Sequence, residues 1–273
     1  PVAFSLSGGV DSVALASLAS RELGKQVNGF TIIHSDPRYE ETALANAAAH
    51  ELGIRHTKVE LPKNGFRQRL EQMVRQHAAP VYTLTSFIQR GLMQEIASQG
   101  FKVVVGGSGA DELFSGYYDH HLFYIASMSG EARKEAVQAW RNGIAEHVRN
   151  PYLQDPELFV RNPEFRDHIY LNASTYAASM LNDRPTDFVE EVYSESPLRN
   201  RMLNEIFHES IPVLMKEEDA NAMAFSLENR SPYLDRHLFE FSTSIPTRYL
   251  VQDGVAKAVL REAMRGLAPN VVL

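Results

Sequence analysis

In the string Ser5-Leu6-Ser7-Gly8-Gly9-Val10-Asp11-Ser12, two glycines are followed by an acid and a hydroxyl. An apolar run, Val2 to Leu6, reads as a short buried strand before it. Val10, Val13, Ala14, Ser17 and Leu18 fall at helical spacing after it. Strand, glycine turn and helix N-terminus together suit a phosphate: first-turn N–H groups lack intrahelical partners, and the helix dipole adds partial positive charge. Glycines admit the anion without a clashing Cβ, and Ser7 and Ser12 add hydroxyl donors. Taken alone, a Gly-Gly pair is also a plain turn with Ser or Asp as N-cap, which needs no ligand. No Lys follows as in the Walker pattern. A carboxylate beside a phosphate then requires a cation between them, which makes Asp11 a Mg²⁺ ligand.

A second glycine-rich string, Gly106-Gly107-Ser108-Gly109-Ala110-Asp111-Glu112-Leu113-Phe114-Ser115-Gly116-Tyr117, follows another strand and ends in paired acids. On its own it is equally a flexible turn with a solvated Asp-Glu. Beside the first string, Asp11 and Asp111 become opposed carboxylates able to hold Mg²⁺ over phosphates, with Gly106 and Gly107 keeping backbone close to a nucleotide. Two further stretches carry charge in a pattern. Glu218 to Asp235 reads as a helix ending before Pro232, with Glu228, Arg230 and Asp235 near enough to bridge. Lys257, in Gly254-Val255-Ala256-Lys257-Ala258-Val259-Leu260-Arg261, stands at a helix start, where a lone lysine is ordinarily a solvated surface residue.

The elements that must position these residues alternate. Strand-like runs are Val2–Leu6, Val27–Ile33, His56–Leu61 and Lys102–Val105. Between them lie the helical pattern Leu44, Ala47, Ala48, Leu52 closed by Gly53, the pattern Phe66, Leu70, Met73, Val74, and the pattern Ile88, Leu92, Ile96 closed by Gly100. Such alternation predicts an α/β fold, a parallel sheet flanked by helices, with ligands outside the carboxyl ends of its strands. That rule gathers Ser7–Ser12, His34–Tyr39 and Gly106–Glu112 into one pocket. Ile32 sits beside it by position, as adenine contact or as plain core. His34 and Asp36 read as loop residues. From about residue 117 the chain turns helical. Ala136, Trp140, Ile144 and Val148 recur every four residues, Asn150-Pro151, Asp155-Pro156 and Asn162-Pro163 mark an irregular stretch, and Met and aromatic positions from Tyr170 to Tyr193 read as core. Arg199–Met215 reads as one helix. The domain plan is thus 1–116 as the α/β core and 117–273 as a helical part completing the same domain.

The chain has 273 residues, 44% of them hydrophobic, enough for a full core. Its net charge of −7, with no Lys/Arg cluster, argues against a nucleic-acid groove or an anionic membrane as main partner. With no cysteine there is no disulfide, thiolate metal site or cysteine nucleophile. No apolar run approaches the roughly 18–20 residues of a membrane span, and no signal peptide is expected. A soluble, cytoplasmic protein is expected. Both ends look cut, which suggests a fragment of something longer.

The first string resembles the pyrophosphate-binding loop of the N-type ATP pyrophosphatases: asparagine, β-lactam, GMP and NAD synthetases, argininosuccinate synthetase and tRNA thiolases. The second narrows the resemblance to asparagine and β-lactam synthetases, which carry Gly-Glu-Gly-x-Asp-Glu-x-Phe-x-Gly-Tyr there. Asp219, Met223-Ala224 and Glu228-x-Arg230-x-Pro232-Tyr233-Leu234-Asp235 resemble the asparagine synthetase pattern that walls the site, and Gly254-x-x-Lys257-x-x-Leu260-Arg261 matches a string whose Lys reaches the α phosphate. The resemblance spans nearly the whole chain.

It implies an adenine-nucleotide α-hydrolase-like core in which Leu6, Ser7, Gly8, Gly9, Asp11, Ser12, Ile32, Gly106 and Gly107 bind ATP, Asp11 and Asp111 hold Mg²⁺, and Lys257 acts in catalysis. The implied reaction activates a carboxylate, aspartate's side chain by resemblance, and then joins it to ammonia or an amine. The implied partners are small molecules, a glutaminase domain or subunit absent from this chain, and a homodimer. One position departs from the family: its first Glu, tied to handling the acyl-adenylate, is Ser108 here. A serine cannot act as a base near neutrality. Either another group serves, or water and the phosphates suffice, or the reaction is a variant. A cyclising ligase and a non-catalytic nucleotide-binding paralogue stand as alternatives.

Overall fold

The computed structural model describes residues 2–33, 42–62, 64–81, 83–169, 178 and 189–273. The expected His34–Tyr39 loop lies outside the described residues, as does most of 170–188. The apolar run Val2–Ser5 forms β1, and Gly9, in an extended conformation, starts helix α1 (Val10–Ser17), which runs on as a π-helical turn, Leu18–Glu22. Then come β2 (Asn28–Ile33), α2 (Thr42–Leu52), β3 (Arg55–Glu60), α3 (Phe66–His77), α4 (Leu84–Ser98) and β4 (Val103–Val105). Left-handed Gly53 and Gly100 close α2 and α4 as expected. The second half supplies α5 (Ala110–Phe114), α6 (Tyr118–Ser127), α7 (Gly130–Gly143), α8 (Leu158–Arg161), α9 (Pro197–Phe207), α10 (Ser210–Met223), β5 (Glu228–Arg230), α11 (Arg236–Ser244) and α12 (Ala258–Ala263).

The chain divides into two compact units, one of residues 1–110, 210–240 and 260–273, the other of 111–209 and 241–259. In the first, five strands form one wholly parallel sheet in the order β3-β2-β1-β4-β5. Ala3 is the register point, opposite Asn28 on one side and Val104 on the other. Ala3, Phe30, Val59 and Val104 bury against Leu92, Met93 and Ile96 of α4, together with Ala222 and Leu227. The chain winds outward from β1 to β3 and returns across β1 to β4, so strand order reverses between β1 and β4. The carboxyl ends of those two strands bound the crevice where sheets of this kind take ligands.

The second unit is helical, with an apolar interior that includes Leu122, Phe123, Ile125 and Met202 and one buried charged cluster. Arg201, 4% exposed, donates to both carboxylate oxygens of Glu209 (2.7 and 2.8 Å), to Glu190 (3.0 Å) and to Asp119 (3.3 Å), and lies 3.1 Å from Glu205. Burial lowers the His120 pKa, and the Glu205 carboxylate 2.7 Å away more than offsets it, so the net shift is upward. Asp119, His120 and Glu205 are spaced as metal ligands would be. The Arg201 guanidinium already supplies the cation there.

Several elements differ from their sequence reading. The expected helix over Arg199–Met215 is two, broken at His208-Glu209, because Pro212 belongs in a first turn where its missing N–H costs nothing. The four-residue repeat from Ala136 stops as helix at Gly143, and Val148 buries from beyond a 3₁₀ turn. The helix expected to reach Pro232 ends at Met223. A left-handed Ser226 turns the chain back, Leu227 enters the core, and Glu228–Arg230 becomes the edge strand β5. Glu228 and Arg230 do pair, at 3.2 Å, whereas Asp235 caps α11 through the N–H groups of His237 and Leu238. Tyr193, read as core, is surface-exposed and stacks on His208.

Candidate functional site

In the first unit, the turn after β1 is held by its own serines. The Ser7 N–H donates to Ser12 Oγ at 2.9 Å, the two hydroxyls are 2.9 Å apart, and the Gly9 N–H donates to Ser7 Oγ at 3.1 Å. The hydroxyls expected to serve as ligand donors therefore shape the loop, with Ser7 and Gly9 facing solvent. No side chain caps α1. The turn after β4 lies directly on that helix start: a Cβ on Gly107 would stand 3.2 Å from Asp11 Cβ and 3.3 Å from the Ser12 nitrogen. A side chain at Gly107 would press the two turns apart by a few tenths of an ångström, so glycine suits this approach. Tyr233 fixes the far side by donating its hydroxyl to the Asp11 carbonyl at 3.0 Å.

The remaining expected residues of this unit fall into two groups. Leu6 is buried in the core, and its carbonyl takes the Thr31 hydroxyl at 2.5 Å. Ile32 packs half-buried against the apolar core, and the Gly106 N–H extends the ladder to Arg230. Ser108 turns away from the serine pair and donates to Glu218 Oε1 at 2.5 Å, while Asn229 donates to Glu218 Oε2 at 3.0 Å. Burial lowers the Arg261 pKa, and the Asp11 carboxylate opposes that shift. Glu218 and Arg261 were not singled out by sequence reasoning. Both lie in the stretches 218–235 and 254–261, and only the fold shows which neighbours they have.

The second unit holds Asp111 and Lys257. Asp111 is the second residue of α5, Lys257 takes a left-handed conformation just ahead of α12, and its Nζ lies 2.6 Å from Asp111 Oδ1. Gly116 closes over this pair, for a Cβ there would fall 1.6 Å from Asp111 Oδ1 and 2.4 Å from Lys257 Cε. The neighbouring Glu112 is 1% exposed and accepts the Tyr117 hydroxyl at 2.6 Å. Burial, with the Asp111 and Glu205 carboxylates adding to it, pushes the Glu112 carboxyl up to about 7.

Along the whole of this framework, residues 1–273, the sequence matches the family model for asparagine synthase. The chain belongs to the asparagine synthase family. Among relatives, a putative glutamine-hydrolysing asparagine synthetase of Mycobacterium tuberculosis is 26% identical over 98% of this chain and 43% of its own length. Glutamine-hydrolysing asparagine synthetase 1 of Bacillus subtilis is 24% identical over 100% of this chain and 45% of its own. The amidase chyE of Penicillium rubens is 24% identical over 97% and 47%. This asparagine synthase family chain thus spans less than half the length of these relatives. Among the described residues, no helix is long and apolar enough to cross a membrane.

In the first unit, a glycine cradle on an uncapped helix start with the Asp11 carboxylate beside it has the chemistry to take an anion together with a cation. In the second, the Asp111 carboxylate and the Lys257 ammonium are matched to each other.

Proposed function

We propose that this chain is the ATP-using part of an amide-forming ligase. It activates a carboxylate, aspartate's side chain, as an acyl-adenylate with release of pyrophosphate, and ammonia or an amine then displaces AMP. The observation that carries this reading is the Gly107 turn seated on the start of α1 at the strand-order reversal of the sheet, within a chain of the asparagine synthase family.

In this reading Ser7, Gly8, Gly9 and Ser12 bind the pyrophosphate portion, and Leu6, Ile32, Gly106 and Gly107 line the nucleotide. Asp11 and Asp111 are the Mg²⁺ ligands, and the ion, when bound, neutralises phosphate charge. Lys257 stabilises charge at the α phosphate. The Lys257–Asp111 pair is then a stand-in: each partner exchanges the other for substrate or metal, which keeps both side chains placed beforehand. Nitrogen from glutamine requires a glutaminase part outside this chain. The relatives named as glutamine-hydrolysing support that arrangement, and a cytoplasmic location follows from the same substrates.

Aspartate-dependent exchange of labelled pyrophosphate into ATP tests the proposal. Exchange that needs both Mg²⁺ and the acid is expected. Nucleotide binding without exchange for any acid would leave a binding module instead.

A further inference from the structure

Glu218 is a buried carboxylate, 7% exposed, whose partners are both neutral: the Ser108 hydroxyl on Oε1 and the Asn229 amide on Oε2. No Lys, Arg or His lies within ion-pair distance of it among the described residues. The adjacent Glu217 differs. It turns the other way along α10 to accept the Ser86 hydroxyl, and His77 stands 3.7 Å from it. Glu218 faces instead the glycine turn that follows β4, the turn packed on the start of α1. Burying a carboxylate beside neutral donors alone is costly, and an amide or an apolar residue would fill the place more stably. A group kept in this way at the carboxyl edge of a ligand-binding sheet is a candidate for proton transfer.

We infer that Glu218 is the proton acceptor for the attacking amine, and that Ser108 is a positioning residue that holds it. The inference rests on the amide-forming reading above. In the step, the amine nitrogen's lone pair forms the C–N bond. The acyl C–O bond to AMP breaks, and its electron pair leaves on AMP. The excess proton on nitrogen passes to a Glu218 carboxylate oxygen. Each oxygen has a lone pair beyond the one already engaged. The carboxylate that the Ser108 turn does not provide comes from α10 and is bound to that turn by a hydrogen bond.

The test uses Glu218→Gln in the full chain, with aspartate as acid and ammonium or hydroxylamine as nitrogen source. Glutamine keeps the shape and accepts the Ser108 hydroxyl but takes no proton. Amide formation from ammonium is expected to fall 100-fold or more, with aspartate-dependent pyrophosphate exchange retained and the melting temperature unchanged or raised. Hydroxamate formation, whose less basic nitrogen sheds its excess proton to water more readily, is expected to suffer far less. The exchanged pair Ser108→Glu with Glu218→Ser returns a carboxylate to the same place and is expected to recover amide formation, which also covers a poorly folding single variant. Unimpaired amide formation, or equal loss of exchange and amide formation in a folded variant, overturns the proposal. Absence of exchange in the unsubstituted chain instead overturns the reading it rests on, and the proposal with it.

Discussion

Replacing Glu112 with glutamine is expected to stabilise the protein at alkaline pH and to leave it unchanged in acid. The carboxyl is 1% exposed and has its pKa pushed from an ordinary 4.5 to about 7, chiefly by burial and then by the charges of Asp111 and Glu205, against the opposing Tyr117 hydrogen bond. The unfolded chain releases this proton near 4.5, whereas the folded chain holds it until about 7. Between those values the native state binds more protons, so stability falls as pH rises. The contribution is fully present below 4.5 and is gone above 7. At about 1.36 kcal/mol per pH unit the loss is roughly 3 kcal/mol, or roughly 6–12 °C in melting temperature for a chain of this size. Glutamine keeps an oxygen for the Tyr117 hydroxyl, 2.6 Å away, and has nothing to ionise. Thermal unfolding of both proteins from pH 4.5 to 8.5 reads the difference directly, since titrating groups not coupled to Glu112 cancel in the comparison. Equal melting temperatures near pH 4.5 and a variant more stable by roughly 6–12 °C at pH 8.5 are expected. A gap that stays constant across the range, or a wild-type chain that is the more stable at pH 8.5, refutes the reasoning.

Arg201→Met is expected to destabilise by about 3–5 kcal/mol in urea titration, because Asp119, Glu205 and Glu209 lose their shared buried cation. Lys257→Ala is expected to lower pyrophosphate exchange by about 10²–10³-fold with little change in melting temperature, the scale for removing one preorganised charge donor. Gly116→Ala separates stability from activity. Its Cβ displaces the ends of two flexible side chains, Asp111 and Lys257, so the stability loss stays at or below the roughly 1–3 kcal/mol of overpacking, while exchange falls sharply. Unchanged exchange in that variant would remove the pair from the site.

β1, β2 and β4 were legible because most of their side chains are apolar and turns bound them, and β3 because Thr57 and Val59 fall in a short run between α2 and α3. β5 was not: Glu228, Asn229 and Arg230 offer no apolar residue, and the strand exists through its ladder to β4 and the burial of Leu227 before it. The expected continuous helices failed where backbone chemistry outranked apolar spacing, at Pro212 and at the left-handed Ser226. The same edge strand turned the expected Glu228–Arg230–Asp235 cluster into a surface pair and a separate helix cap.

The site was legible in its backbone and illegible in its pairings. Glycines placed after strands could be read because a close approach leaves its mark in the residue type itself, as Gly107 and Gly116 do. A carboxylate's partner leaves no such mark, since Ser108 and Glu218 are 110 positions apart and meet only through β4, β5 and α10. What distinguishes Glu218 physically is the company it keeps. Every buried acid around Arg201 has a cation or a histidine against it, and those contacts account for its burial. Glu218 has a hydroxyl and an amide, which orient a carboxylate without neutralising it. A structural role favours the first arrangement, because compensation lowers the cost of burial. A proton acceptor needs the second, because a firmly paired carboxylate resists protonation.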